Sequence, residues 1–359
     1  LWPVKEFPNR ATLDAVAQGK PVALGRIDGH AMWANSEALR QAGIGDDTPD
    51  PEGGQIIRDA EGKATGVLID NAMDMVYQLL PPMTDERMAE FQLTALKDLA
   101  SYGLTSVHDA GINAQEVRGF QFLRSEGRLP IRVYAMLDVQ DPANDAYLRE
   151  GPLIDDEHML DIRSVKISAD GALGSRGAAL FEDYSDEPGN KGLLLVTDEQ
   201  LDHHMGRAMQ ANYQVNIHAI GDLANARVLD YFERLIKQYD NGHLRHRNEH
   251  SQIIRPADIP RFAELGVIAS IQPTHATSDK NMAGDRLGEA RLEGAYAWKS
   301  LLESGAVLAG GSDFPVESAN PFFGLHAAVT RQSQDNQPDG GWLPDQLVSR
   351  DVALTMFTE

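Results

Sequence analysis

From about residue 86 the chain alternates between two hydrophobic periods. TDERMAEFQLTALKDLASYG repeats its apolar positions every three to four residues and stops at Gly103, the pattern of an amphipathic helix ended by glycine. LTSVHDAG is too short for a second helix and reads as a strand. Helical periodicity returns in AQEVRGFQFLRSEG, DEQLDHHMGRAMQAN, NARVLDYFERLIKQY, PADIPRFAELG and LEGAYAWKSLLESG. Between these runs stand IRVYAML, IRSVKISADG, YQVNIHAIGD, LRHRNEHSQ, VIASIQPT and AVLAGGSDFP, each short, apolar and closed by polar or turn residues. Seven strands interleaved with helices predict βαβ units and a parallel sheet. With no switch in their order, they predict an α/β fold, a TIM-type (β/α)8 barrel with its first strand missing from these residues. An open, doubly wound sheet is the alternative architecture.

Residues 1–85 break this rhythm. They hold turn-rich text such as DDTPDPEGG and one hairpin-like patch, QIIRDAEGKATGVLID. The expected organisation is an insertion or lid region over residues 1–85 and the barrel over residues 86–359. The chain opens without Met and closes on DVALTMFTE, itself helical in pattern, so continuation beyond both ends is expected.

Composition narrows the partners. There are 54 acidic against 32 basic residues, a net charge of -22, which excludes an electrostatic footprint for nucleic acid or anionic membrane. No run approaches the ~18 apolar residues of a membrane span. Cysteine is absent, so thiolate catalysis, cysteine metal sites and disulfides are excluded, and the redox compartment is unreadable. Localisation is equally open between cytoplasm and periplasm, because any export signal would precede Leu1.

In a parallel barrel the chemistry gathers at the C-terminal ends of the strands. Those ends carry His108-Asp109, Lys166, His218, His250 and Asp313. Lys166 lies in VKIS between Val165 and Ile167, which would face the helices and turn the lysine inward. A buried ammonium is costly unless neutralised. It either pairs with Asp170 or Asp313, or reacts with carbon dioxide to give an anionic carbamate able to bridge two metals. His218 and His250 read singly as core histidines, and together as imidazole ligands for zinc. Asp313 is either a helix N-cap or a metal-binding carboxylate that accepts a proton from water. Glu249 is expected to point away from the site in a structural role. His203 and His204 are expected to be solvated on a helix, and His243 and His246 to lie at the surface. His275 follows a strand end and is a candidate substrate contact. His30 beside Trp33 suits a lid or substrate pocket, or equally a packed aromatic turn. The loop DGALGSRG matches no phosphate-binding pattern; its glycines would let backbone approach a ligand closely. Arg176 within it either holds an anionic or carbonyl group of a substrate or forms a surface ion pair.

Taken in order, VKISADGALGSRGAAL, NIHAIGD, RNEHSQ, IQPTHATSD and GGSDFPVE resemble the amidohydrolase superfamily. RIDGHAMWANSEAL and GVLIDNAM resemble its branch of N-substituted formamide deformylase-like hydrolases. The resemblance covers nearly the whole chain. It implies a (β/α)8 barrel with one or two divalent metals, usually Zn2+, hydrolysing a carbon–nitrogen bond of a small molecule by attack of a metal-bound hydroxide. By position, Lys166 matches the family's carboxylated lysine, His218 and His250 its next two ligands, and Asp313 its metal ligand and proton shuttle. The substrate contacts would then be His30, Trp33, Arg176 and His275. The family also implies an N-terminal His-x-His and a small β-sandwich; no His-x-His occurs in these residues. That departure keeps open a catalytically dead barrel that binds a small ligand. A third reading is a metal-free lyase using Lys166 as a Schiff base. A homodimer is a further expectation from the resemblance.

Overall fold

The computed structural model describes residues 6–359. Two sheets form. The first is antiparallel, in the order β1-β2-β4-β3, with β1 Ala23–Gly25, β2 Ala31–Ala34, β3 Gly54–Arg58 and β4 Ala64–Asp70. The hairpin expected from QIIRDAEGKATGVLID is β3 and β4, paired antiparallel with a bulge between Ile56 and Arg58. Every residue of β4 is buried. One of its faces lies on a small core of Met32, Leu39, Ile56, Leu68 and Val76. The sheet therefore has an apolar centre of its own, which turn-rich text around it had hidden.

The second sheet is built from seven parallel strands: β5 Ser106–Ile112, β6 Arg132–Asp138, β8 Leu160–Ser168, β9 Gln214–Ala219, β10 Arg247–His250, β11 Ile268–Ile271 and β12 Leu308–Gly310. A short strand, β7 Leu153–Ile154, adds antiparallel to β8. Strand order follows chain order from β5 to β12. That excludes the doubly wound alternative, whose order must reverse. The sheet curls: Arg247 of β10 reaches His108 of β5 across its interior, Nη1 to Nδ1 2.6 Å, and Tyr134 of β6 donates to Gln214 of β9 at 2.9 Å. The fold is a (β/α)8-type barrel.

Outward strand residues alternate with inward ones. Val165, Ile167, Val215, Ile217, Ala269 and Ile271 are each at most 1% exposed and form the layer beneath the helices. Helices Asp85–Ser101, Ala114–Ser125, Asp198–Gln210 and Asp222–Tyr239 fall where their periodicity predicts. Two carry full capping boxes, Asn113 with Glu116 and Thr197 with Gln200, which satisfy first-turn amides. One helix departs from its prediction. LEGAYAWKSLLESG is α-helical only over Trp298–Glu303. Tyr296 has φ 51°, a left-handed residue that no α-helix accommodates. Among the described residues no helix is long and apolar enough to cross a membrane.

Candidate metal centre

Four imidazoles and a carboxylate meet above the C-terminal strand ends. β9 delivers His218 and β10 delivers His250, with ring centroids 4.5 Å apart. The turn after β11 delivers His275, whose ring stacks on His250 at 5.9 Å. Asp313 follows β12, and its Oδ2 lies 3.8 Å from His275 Nε2. Donor atoms of His250, His275 and Asp313 all lie within 4.8 Å of one another. The sequence reading gave His275 a substrate contact; the geometry places it with the donor atoms.

His250 reaches the group by breaking alternation. Along β10, Arg247 and Glu249 face the barrel interior, while Asn248 turns to the helices and bonds Asn225 at 2.8 Å. Regular alternation would send His250 outward too. Instead His250 takes φ 74° and Ser251 φ 43°, and the left-handed turn swings the ring over the strand end. Strain of this kind is held only where surrounding contacts over-determine it. Here His250 Nδ1 hydrogen-bonds Gln272 Oε1 at 2.7 Å, which fixes the tautomer and leaves Nε2 with a free lone pair. Glu249 is consequently not turned away: it is buried inside the barrel, paired with Arg247 at 2.7 Å. Burial opposes its ionisation most strongly, but the Arg247 charge together with hydrogen bonds from Ser270 and Arg247 and the Lys166 charge outweighs that and holds the carboxyl below its ordinary value. Its structural role stands; its direction does not.

Asp313 also has a left-handed backbone, φ 56°. It caps no helix, since the next one, Pro321–Thr330, is capped by Asn320. Burial works against the Asp313 carboxylate, but His250, His275, Lys166 and His218 together outweigh it and hold its pKa down. His218 and His250 are both pushed well below the ordinary imidazole value, first by burial and then by neighbouring positive charge. Neutral imidazoles and an ionised carboxylate are the species that bind divalent metal. Lys166 is half-buried on the inner face, with Val165 and Ile167 outward as expected. Asp170 is not its partner. That carboxylate accepts backbone amides from Ala179 at 2.9 Å, Ile220 at 3.0 Å and Gly221 at 2.8 Å, and so pins the loop after β8 to the end of β9.

The antiparallel sheet contributes the fourth imidazole. His30, in the turn before β2, lies 5.1 Å from the His218 ring, and its Nδ1 bonds Asp70 Oδ1 at 2.6 Å. Burial alone would lower the His30 pKa; the Asp70 hydrogen bond and charge outweigh it and raise it. Asp70 ends β4 with φ 48° and seats its second oxygen against the glycine loop. A Cβ on Gly171 or Gly177 would stand 2.3 or 2.6 Å from Asp70 Oδ2. The glycines of DGALGSRG thus admit this side chain. Sequence reasoning missed Asp70; its one local signal is an aspartate closing the apolar run of residues 67–69. Trp33 lies on β2, packed beside Ala31, Val67 and Ile69. Arg176 takes the ion-pair reading: it binds Asp186 at 2.9 Å and Glu187 at 3.0 Å. His246 is a further correction. It is buried, accepting from the Val215 amide at 3.0 Å and stacking on Phe232 at 5.6 Å, while His243 and His203 are exposed.

The donor set fits a divalent metal: clustered imidazoles, of which His218 and His250 are held neutral by burial, one carboxylate, and a hydrogen-bonded shell behind them. A sequence model described as "Amidohydrolase family" matches residues 1–359. LONG AFTER FAR-RED 3 of Arabidopsis thaliana is 34% identical over 366 residues, spanning 98% of this chain and 62% of that protein. N-substituted formamide deformylase of Arthrobacter pascens is 27% identical over 361 residues, spanning 98% of this chain and 66% of that protein. The crystal structure of an uncharacterized metal-dependent hydrolase from Pyrococcus horikoshii OT3 superposes with a TM-score of 0.75 at 28% identity, over 99% of this chain and 68% of that one. The chain spans just under two thirds of the length of these curated relatives.

Proposed function

The chain belongs to the amidohydrolase family, and from that premise we propose that it is a metal-dependent hydrolase cleaving an amide-type carbon–nitrogen bond of a small molecule. The observation that carries this is the convergence of His218, His250, His275 and Asp313 over the strand ends, with Lys166 on the same inner face. Lys166, His218, His250 and Asp313 would hold the metal, Lys166 as a carbamate, with His275 as a further donor beside His250 and Asp313. Zinc suits imidazole and carboxylate donors, and would supply carbonyl polarisation and a water acidic enough to attack near neutral pH.

The rest is the work of the chain's own groups. Gln272 orients His250. The Gly171 carbonyl, 3.5 Å from His218 Nε2, draws that N–H and leaves Nδ1 as the ligating nitrogen. Asp313, kept ionised by its imidazole neighbours, accepts the proton of the attacking water and passes it to the departing nitrogen. His30, biased towards imidazolium by Asp70, faces the substrate from the antiparallel sheet and donates to its carbonyl or leaving group.

Elemental analysis of the purified protein tests the reading. Supplied with zinc and bicarbonate, it should hold about one to two equivalents, lost in His250→Ala and Asp313→Asn. Metal in all three proteins alike, or in none, sinks the assignment. A barrel that binds metal yet turns over no amide in a broad screen would leave the ligand-binding reading in its place.

A further inference from the structure

A cavity of about 340 Å³ is lined in part by the helix that carries His275, Pro273–Asp279. Its wall includes Thr274, Ser278, Glu317, Phe323, His326 and Asp335. Two of these stand next to the donor atoms in the chain. Thr274 precedes His275, and Glu317 lies one short turn beyond Asp313. Helix Pro273–Asp279 therefore presents His275 to the centre and Thr274 and Ser278 to the cavity.

Thr274 is 7% exposed, and its Oγ1 has no hydrogen-bond partner among the described residues. A buried hydroxyl left unmade costs stability, and nothing on its own helix relieves it. The Thr277 hydroxyl, one turn on, is satisfied by the Thr274 carbonyl at 2.9 Å. Opposite, Ser278 donates to Glu317 at 2.5 Å, which fixes that carboxylate at the wall. Asp335 adds a second negative charge. Lys280 is not among the lining residues, and its ammonium is already held by two residues that are, on the Thr277 carbonyl at 2.7 Å and on the Ser333 hydroxyl. His326 is occupied by Asn336 at 3.2 Å. The cavity thus offers an unused hydroxyl and two carboxylates, with an aromatic edge from Phe323; the side-chain amides of Gln332 and Gln334, which also line it, carry no charge to offset those carboxylates.

We propose that this cavity is the subsite for the amine-side substituent of the substrate, and that it takes a primary ammonium group on a short alkyl chain. The substrate class would be the mono-N-acylated diamine. The inference rests on the hydrolase reading for its place in the reaction, but the subsite itself is a binding claim that needs no turnover. The ammonium would donate to Thr274 Oγ1 and pair with Glu317, while its alkyl chain lies along Phe323.

NMR titration with n-butylammonium, 1-butanol and butyrate tests it on the protein without added metal. Butylammonium should bind best, and Glu317→Gln should weaken it about tenfold. Thr274→Val should weaken it several-fold while leaving the melting temperature unchanged or raised, because an unmade buried hydrogen bond is removed. Asp230→Asn, in an acidic cluster on the outer helices, should change nothing and so controls for diffuse attraction to an acidic protein. Equal butylammonium affinity in wild type, Glu317→Gln and Thr274→Val overturns the proposal, as does an equal loss in Asp230→Asn. Hydrolysis separates the two readings. If N-formylbutylamine and N-formyl-1,4-diaminobutane turn over with equal kcat/KM, the subsite falls and the hydrolase stands. If neither turns over while butylammonium binds as described, the subsite stands without it.

Discussion

His246 shows how much a single side chain can carry away from the site. Its Nδ1 accepts the Val215 amide, so the ring must be neutral in the fold. Burial, with a smaller contribution from His243, pushes its pKa down to about 4. An unfolded histidine titrates near 6.5. Between these values the unfolded chain binds the proton and the folded one does not, so stability is full above about pH 6.5 and is lost as pH falls towards 4. The loss over that window is about 3 kcal/mol. His246→Asn keeps an acceptor for Val215 and removes the titration. Chemical denaturation at pH 7 and pH 4.5 should show a smaller acid-induced loss in the variant, the other histidines being common to both. An unchanged pH dependence would mean that His246 is protonated in the fold after all.

At the scale of elements, the decisive joint is between β4 and the loop after β8. Asp70 carries His30 on one oxygen and fits between two glycines with the other. Gly171→Ala would place its Cβ 2.3 Å from that oxygen. Overpacking of this kind costs about 1–3 kcal/mol, and here the strain falls on the segment that positions His30. Activity should drop further than stability does, and Gly171→Ala with Asp70→Ser should recover the lost stability but not the activity. Thermal melts and initial rates of the two variants decide it; full recovery of both would make the joint a matter of packing alone. Asp170 works in the same region by other means, since its three backbone amides tie the glycine loop to β9. The glycine loop is thus held by two carboxylates, Asp70 from the end of β4 and the loop's own Asp170.

For the whole molecule, strand position sets local stability. β8, β9 and β10 are paired on both sides, whereas β12 and β5 end the described sheet. Local opening needs less free energy where one flank lacks a ladder. In native-state hydrogen exchange, amides of β9, over Gln214–Ala219, should exchange roughly 100-fold more slowly than those of β12, over Leu308–Gly310. Uniform protection across the sheet would show that the barrel opens only as a unit. The proposed metal donors span the sheet: His218 sits on the internal strand β9 and Asp313 follows the end strand β12. Metal should accordingly slow exchange most at β12, the end it would tie down.

The order of helices and strands was written in periodicity, which is local: each face repeats within a few residues, so it can be read without knowing what lies opposite. Strand-end chemistry was equally legible, because a parallel barrel turns chain position into spatial position, and His218, His250 and Asp313 came together as their places implied. The tertiary structure alone decided the contacts that join distant segments. His30 meets Asp70 across 40 residues and His108 meets Arg247 across 139; no local pattern encodes either. It also decided direction wherever the backbone left its regular region, at His250, Asp313 and Tyr296. Alternation predicts facing only while φ stays extended, and at the strand end that presents His250 it does not. His246 was misplaced for a related reason: a histidine among arginines reads as surface, and only the packing of β9 against Phe232 makes it core.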